Sequence, residues 1–267
     1  MRHSVQRWLF CAGAVAAVGV AAALQAGPAS AARVTMASRS AQEAQAAQAS
    51  PYVPPTSTLY LGNHGPAVSS VEQRLNQLGY YAGPVDGKYG PDLQEAVWAF
   101  KEVQGLPLNN ATISVMARPF FNALVNPRQP YARYPAGGPN RIEINQNIQV
   151  LVLYRNNAPY LILHVSTGGR YYYPCPGDAA ATCGPAITPD GHYKALSYLQ
   201  GDIQVPLGFM ENPVFFIGRA YAIHGGDPVP WYPASHGCVR IFSDAVNWFH
   251  NDVRIGVTQI YVFGTAP

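Results

Sequence analysis

The stretch YARYPAGGPN, residues 131–140, divides the chain by the period of its apolar residues. Before it, apolar side chains recur at helical spacing; after it, they alternate. A 3.6-residue period and a two-residue period cannot serve the same kind of element. The chain is therefore predicted to be α+β, with a small helical module followed by a β-rich one.

In the first part, AVSSVEQRLNQLGY sets Val68, Val71, Leu75 and Leu78 on one helix face, and Gly79 ends that helix. Asp86-Gly87 and Gly90-Pro91 are turn signals. From Pro91, a second stripe of Leu93, Val97 and Phe100 runs to Gly105, and ISVMARPFFNALV, residues 113–125, reads as a third helix. Residues 58–128 are thus expected to form a three-helix module, and residues 129–139 a Pro/Gly linker. Beyond it, RIEINQNIQVLVLYRNNAPYLILHVSTGG reads as two or three strands turning at Asn156-Asn157. Strand-like runs continue to the C-terminus. The exception is one helix from Ser243, read as its N-cap, to about His250. Residues 140–265 are expected to be mostly antiparallel sheet.

The N-terminus has a different character. Arg2 and Arg7 precede an apolar run from Trp8 to Leu24, and Ala29-Ser30-Ala31 places small residues where a signal peptidase cleaves. Residues 1–31 read as a signal peptide, with an uncleaved membrane anchor as the alternative. Cys11 follows Phe10 near the start of that run, which argues against a lipoprotein site. Residues 32–57, rich in Ala, Gln, Ser and then Pro, read as a disordered linker. The net charge of +3 and the lack of any Lys/Arg block argue against nucleic acid as a partner.

Export changes the meaning of the cysteines. Three lie beyond the signal segment, an odd number for an oxidising compartment. Cys175 and Cys183 share one short loop and are paired here as a disulfide, which leaves Cys238. A lone exported thiol is explained by nucleophilic chemistry, provided that a base can take its proton. HGGDPVPWYPASHGCVRI, residues 224–241, supplies two imidazoles. His236 and Arg240 flank Cys238 two residues away on either side, so an extended chain points all three the same way. His224 ends a strand-like run, and the excursion after it could fold back beside the thiol. Gly237 leaves room for a close approach, and N–H groups near Gly237 and Cys238 could hold an oxyanion.

Two family resemblances follow. VEQRLNQLGY, VDGKYG and AVWAFKEVQGL, in that order, resemble the peptidoglycan-binding type 1 module, which usually has Gln where Lys101 stands. IHG…SHGCVR resembles the signature of the L,D-transpeptidase, or YkuD, catalytic domain. STG at 166–168 and TPDGHY at 188–193 resemble further parts of it. His192 separates the glycine of the latter from its aromatic residue, and the Cys175–Cys183 insertion is not a general family feature.

The resemblance implies Cys238 as nucleophile and His224 as proton donor and acceptor. His236, Gly237 and Ser235 would shape the oxyanion region and its loop, and Arg240 and Gly225 would contact substrate. It implies peptidoglycan stem tetrapeptides as substrate and a thioester intermediate. A 3→3 cross-link would form with release of D-Ala, or, if water attacks, L,D-carboxypeptidation would result. It also implies acylation by carbapenem-type β-lactams and a place in the bacterial periplasm or cell wall. No cofactor or metal is implied.

Three rival readings are weaker. A zinc peptidase would need a ligand set such as His-Glu-x-x-His, which is missing. A sortase cysteine typically follows Thr-Leu-x-Thr rather than Ser-His-Gly. A non-catalytic wall-binding protein leaves the His224, His236, Cys238 and Arg240 set without a purpose.

Overall fold

The computed structural model describes residues 52–267, which belong to one compact unit. The signal segment, its cleavage site, Cys11 and the first part of the N-terminal linker lie outside the described residues.

In chain order the elements begin with β1 (Leu59–Tyr60), α1 (Pro66–Gln77), α2 (Pro91–Gln104), β2 (Val115–Met116) and α3 (Arg118–Val125). They continue with β3 (Arg141–Asn145), β4 (Val150–Arg155), β5 (Ala158–His164), β6 (Tyr173–Cys175), β7 (Asp178–Cys183), β8 (Gly191–Lys194), β9 (Ser197–Tyr198) and β10 (Asp202–Val205). The last are β11 (Gly208–Ile217), β12 (Tyr221–Gly225), β13 (Val239–Ile241), α4 (Ser243–Phe249), a 3-10 turn at His250–Asp252, and β14 (Gln259–Phe263).

The third helix is shorter than its sequence suggests. Residues 113–116 are not helical: Val115–Met116 instead pair with Leu59–Tyr60. Lys101 explains this. Its side chain is buried, and its ammonium donates to the carbonyls of Thr112 and Val115, at 2.7 Å for the latter. Burial lowers its pKa to about 8. These contacts hold residues 112–115 in a turn, and Pro119, which has no N–H for the Val115 carbonyl, sits at the start of the helix, where proline is tolerated.

The C-terminal part is two packed sheets, one ordered β10-β11-β12-β13 with β9 beside β11, the other β5-β4-β3-β14-β8. Most pairs are antiparallel, as expected. β12–β13 and β3–β14 are parallel, which alternation along a strand cannot reveal. Asn156 and Asn157 both have positive φ, 50° and 64°, and form the predicted β4–β5 turn. Helix α4 begins with Phe242 in the capping position, so Ser243 is the first helical residue and not the N-cap.

The sheet containing β4 is covered on both faces. Leu151, Leu153, Leu161 and Leu163 point between the sheets and meet Val214, Phe216, Ile223, Val239 and Ile241. Val150, Val152, Tyr154 and Ile162 point the other way, into the core of the helical module with Leu75, Val97 and Phe100. This double burial is why VLVLY reads as a continuous apolar run. Burying those four outward side chains stabilises the docking by an upper estimate of about 6–12 kcal/mol. The segment 129–139 is accordingly no free spacer. The N–H groups of Arg133 and Tyr134 donate to Glu143, and Tyr134 stacks on Tyr261 with ring centroids 4.6 Å apart.

Candidate active site

The parallel β12–β13 pair builds the site. Its register sets Ile223 beside Val239, His224 beside Arg240, and Gly225 beside Ile241. Ile223, Val239 and Ile241 are wholly buried between the sheets. Alternation therefore sends Ala222, His224, Cys238 and Arg240 to the opposite face. Cys238 continues the strand beside Ala222 and packs with it, Met210 and Phe215. His224 lies diagonally across from it, at roughly 8 Å between Cα atoms by strand geometry, within reach of an imidazole.

The tautomer of His224 follows from one contact. Its Nδ1 lies 2.6 Å from the Gly225 carbonyl oxygen, which can only accept. Nδ1 carries the proton, and Nε2 is left free to accept one. Burial pushes this histidine's pKa down to about 4, so the ring is neutral near neutral pH; the nearby Arg240 charge adds to the shift, and the Gly225 hydrogen bond opposes it. Burial likewise raises the Cys238 thiol above its ordinary value, against the opposing pull of the Ala222 backbone and Arg240. The S–H donates to the Ala220 carbonyl at 3.7 Å. Both shifts favour a neutral thiol and a neutral imidazole near neutral pH.

Gly225 sits in a tightly packed place. It is buried, and a Cβ there would lie 2.5 Å from Val246 and 2.7 Å from Glu211. It lets α4 pack on β12, and its carbonyl orients His224. Gly237 is fixed by its neighbours as well. Its N–H donates to Ser235 Oγ at 3.0 Å, so that group is not aimed at an oxyanion. Its φ is 138°, and a Cβ would meet the Ile187 oxygen and the Tyr221 ring at 2.8 Å. Glycine is needed for the turn that presents Cys238.

The Ser235 hydroxyl also donates to the Cys238 carbonyl at 2.5 Å and so bridges the turn. His236 leaves the common side because the chain turns at Gly237. It is exposed, lies edge-on to Tyr173 and Tyr171 at 4.5 and 5.6 Å, and its pKa is lowered by burial and Arg240. Those tyrosines belong to the segment entering the β6–β7 hairpin and to the hairpin itself, where Cys175 and Cys183 are joined at 2.07 Å. Arg240 keeps its buried Nε without a hydrogen-bond partner. Burial lowers its pKa, and Tyr171, Tyr232 and Cys238 oppose that shift.

Sequence reasoning missed the supports behind these residues. Ser166 exchanges two backbone hydrogen bonds with Arg240, both 3.0 Å, and its hydroxyl donates to the Tyr232 carbonyl. The Thr167 carbonyl accepts from Ser235 N–H at 3.0 Å. Thr188 Oγ1 accepts from Gly168 N–H at 2.8 Å and donates to the Gly237 carbonyl at 2.7 Å. The Ser-Thr-Gly and Thr-Pro matches signal these positions but not their roles.

The site and fold are those of a cysteine acyltransferase, on a β scaffold carrying a helical module. A family model described as L,D-transpeptidase catalytic domain matches residues 139–262, and one described as putative peptidoglycan binding domain matches 64–116. The solved L,D-transpeptidase (residues 123–326) of Xylanimonas cellulosilytica is 33% identical. The match covers 79% of this chain and all of that one, with a TM-score of 0.69. An L,D-transpeptidase of Stackebrandtia nassauensis is 17% identical over 80% of this chain and 98% of that one, with a TM-score of 0.43. No curated protein sequence matches. The chain belongs to the L,D-transpeptidase family, and it is a cysteine-dependent transpeptidase with a peptidoglycan-binding module and a cell-wall or periplasmic role.

Proposed function

We propose that Cys238 is the nucleophile and His224 the proton shuttle of an exported enzyme that forms 3→3 cross-links between peptidoglycan stem tetrapeptides. The single observation that carries this is the placement of both on one face of the β12–β13 pair, with His224 Nδ1–H committed to the Gly225 carbonyl. The thiol turns from Ala220 toward His224 Nε2 and gives up its proton as sulfur attacks the carbonyl carbon of the third stem residue. The Cys238 N–H steadies the oxyanion, and Arg240 Nε, unpartnered in the resting protein, binds an acceptor group of the stem. The bond to the terminal D-Ala breaks, the amine leaves with the proton from His224, and a thioester remains. A side-chain amine of a second stem then attacks the thioester and delivers its proton to His224; the C–S bond breaks, and the Cys238 sulfur leaves and takes that proton back, which restores the thiol and the neutral imidazole. Water in place of that amine gives L,D-carboxypeptidation.

A neutral resting pair moves its proton only with the attack, so reactivity depends on a correctly seated acyl group rather than on a standing thiolate. The same geometry accommodates a strained lactam carbonyl, which makes carbapenems expected acylating agents. Mass spectrometry of disaccharide-tetrapeptide incubated with the mature protein, beside Cys238→Ala, tests the assignment. A dimer lacking one D-Ala, missing with the variant, is expected. Tripeptide alone would make the enzyme a carboxypeptidase, and equal products with both proteins would refute Cys238 as nucleophile.

A further inference from the structure

The loop 226–235 connects His224 to the Ser-His-Gly-Cys turn, so its course sets how the two reacting groups face each other. Its midpoint is held from behind by the helical module. His164, at the end of β5, is 3% exposed. Its Nδ1 lies 3.0 Å from both carboxylate oxygens of Glu102 on α2, and its Nε2 lies 3.0 Å from the Pro230 carbonyl. Trp98, one turn before Glu102, meets the ring edge-on at 5.3 Å.

The Pro230 carbonyl is an acceptor, as is the Glu102 carboxylate, which burial raises to about 7 against the pull of His164, and a neutral imidazole has one N–H to offer. The arrangement therefore calls for the imidazolium. Past Pro230 the loop carries Trp231 and Tyr232; the Tyr232 carbonyl accepts from Ser166, and Ser166 pairs with Arg240. Ala234 accepts from the Tyr171 hydroxyl. Hydrogen bonds from α2 to Pro230 and from Tyr232 to Arg240 are thus joined by the short backbone stretch through Trp231.

We propose that His164, kept doubly protonated by Glu102 of the peptidoglycan-binding module, is a positioning residue for the transpeptidase site and holds the 226–235 loop through the Pro230 carbonyl. Deprotonation would leave the remaining proton on Nδ1, facing the carboxylate, and turn the Nε2 lone pair against the Pro230 oxygen. The loop would then be released. Burial opposes the charged ring, but Glu102, then Glu95 and the Pro230 carbonyl, outweigh it and raise the pKa to about 9. The other titratable groups facing this cluster are Glu95, which burial raises to about 8, and beyond it Asp92 of α2 and Asp227 of the loop; Asp244 at the start of α4 couples to Asp92.

The inference rests on Cys238 as nucleophile, so acylation of the full mature chain by the carbapenem imipenem is the readout, followed by mass from pH 6 to 10. Two variants are compared with the wild type. Glu102→Leu with His164→Phe removes the pair with apolar groups of similar size, which buried ion pairs commonly tolerate. Its rate is expected to fall about tenfold at pH 7, the scale of one charge-assisted hydrogen bond, and to converge on the wild-type rate above about pH 9. Glu102→Gln can donate to Nδ1, leaving a neutral ring whose Nε2–H still holds Pro230. It is expected to keep the wild-type rate at pH 7 and to lack the alkaline release. A variant-to-wild-type ratio that is flat with pH in both cases overturns the inference, as does a wild-type rate at pH 7 in the double variant. Should the double variant misfold, an alkaline release retained by Glu102→Gln overturns it alone. A wild type that fails to acylate at Cys238 overturns the assigned nucleophile and this inference together.

Discussion

Thr188→Val tests whether one buried hydroxyl sets the geometry of the nucleophile turn. Valine keeps the shape of threonine, so the change removes hydrogen bonding without opening a cavity. Thr188 is 2% exposed. Its hydroxyl serves two backbone groups, accepting from Gly168 N–H at 2.8 Å and donating to the Gly237 carbonyl at 2.7 Å. Both would be left buried and unpaired, at about 1–3 kcal/mol each, or about 2–6 kcal/mol together. For a folded unit of this size that lowers Tm by roughly 5–20 °C. The Gly237 carbonyl and the Cys238 N–H belong to the same peptide group, so imipenem acylation should slow as well. Thr188→Ser is the companion variant: it keeps the hydroxyl and loses one methyl, at about 1 kcal/mol. Thermal unfolding and acylation rate are measured for all three proteins. A valine variant as stable as the serine variant, with wild-type acylation, would refute the reasoning.

Two further outcomes are expected. Gly237→Ala forces a Cβ to 2.8 Å from the Ile187 oxygen at a φ of 138°, so the turn must shift and acylation of Cys238 should fall at least tenfold, measured by intact mass. His224 has a folded pKa near 4 against an ordinary value near 6.5, so the unfolded chain binds more protons between these values. Its contribution to stability is complete above about pH 6.5 and is lost as pH falls to about 4, by roughly 2–3 kcal/mol at pH 4.5. Urea unfolding at pH 7 and 4.5 should show a smaller acid loss in His224→Gln than in the wild type, and equal losses would contradict the burial of a neutral imidazole.

Much of the site is legible in the amino-acid sequence. Cys238 stands out by cysteine parity, and the Asn156-Asn157 turn by its chemistry. These are local signals, carried by residue type and short spacing. Gly225 and Gly237 belong to the motif, but the motif does not show what packs against them. What decides their roles is Val246 packing against one and the Ser235 hydroxyl capturing the N–H of the other. The third helix falls short of its pattern for a similar reason: the apolar spacing is real, but the ammonium of Lys101, buried from another helix, holds the Thr112 and Val115 carbonyls in a turn, and Pro119 lacks the N–H that would extend the helix backward.

The sequence by itself determined the two periodicities, the two modules, the unpaired thiol and the residue types that make thioester chemistry possible. These follow from side-chain alternation and intrinsic reactivity, which need no partner elsewhere in the chain. Only the tertiary structure decided that β12 and β13 run parallel and so bring His224 to the face of Cys238. It also decided that β4 is buried on both sides and that the helical module reaches the Pro230 loop through Glu102 and His164. Strand direction, double burial and the charge of an enclosed imidazole depend on groups far apart in the chain, and no local pattern encodes where those groups meet.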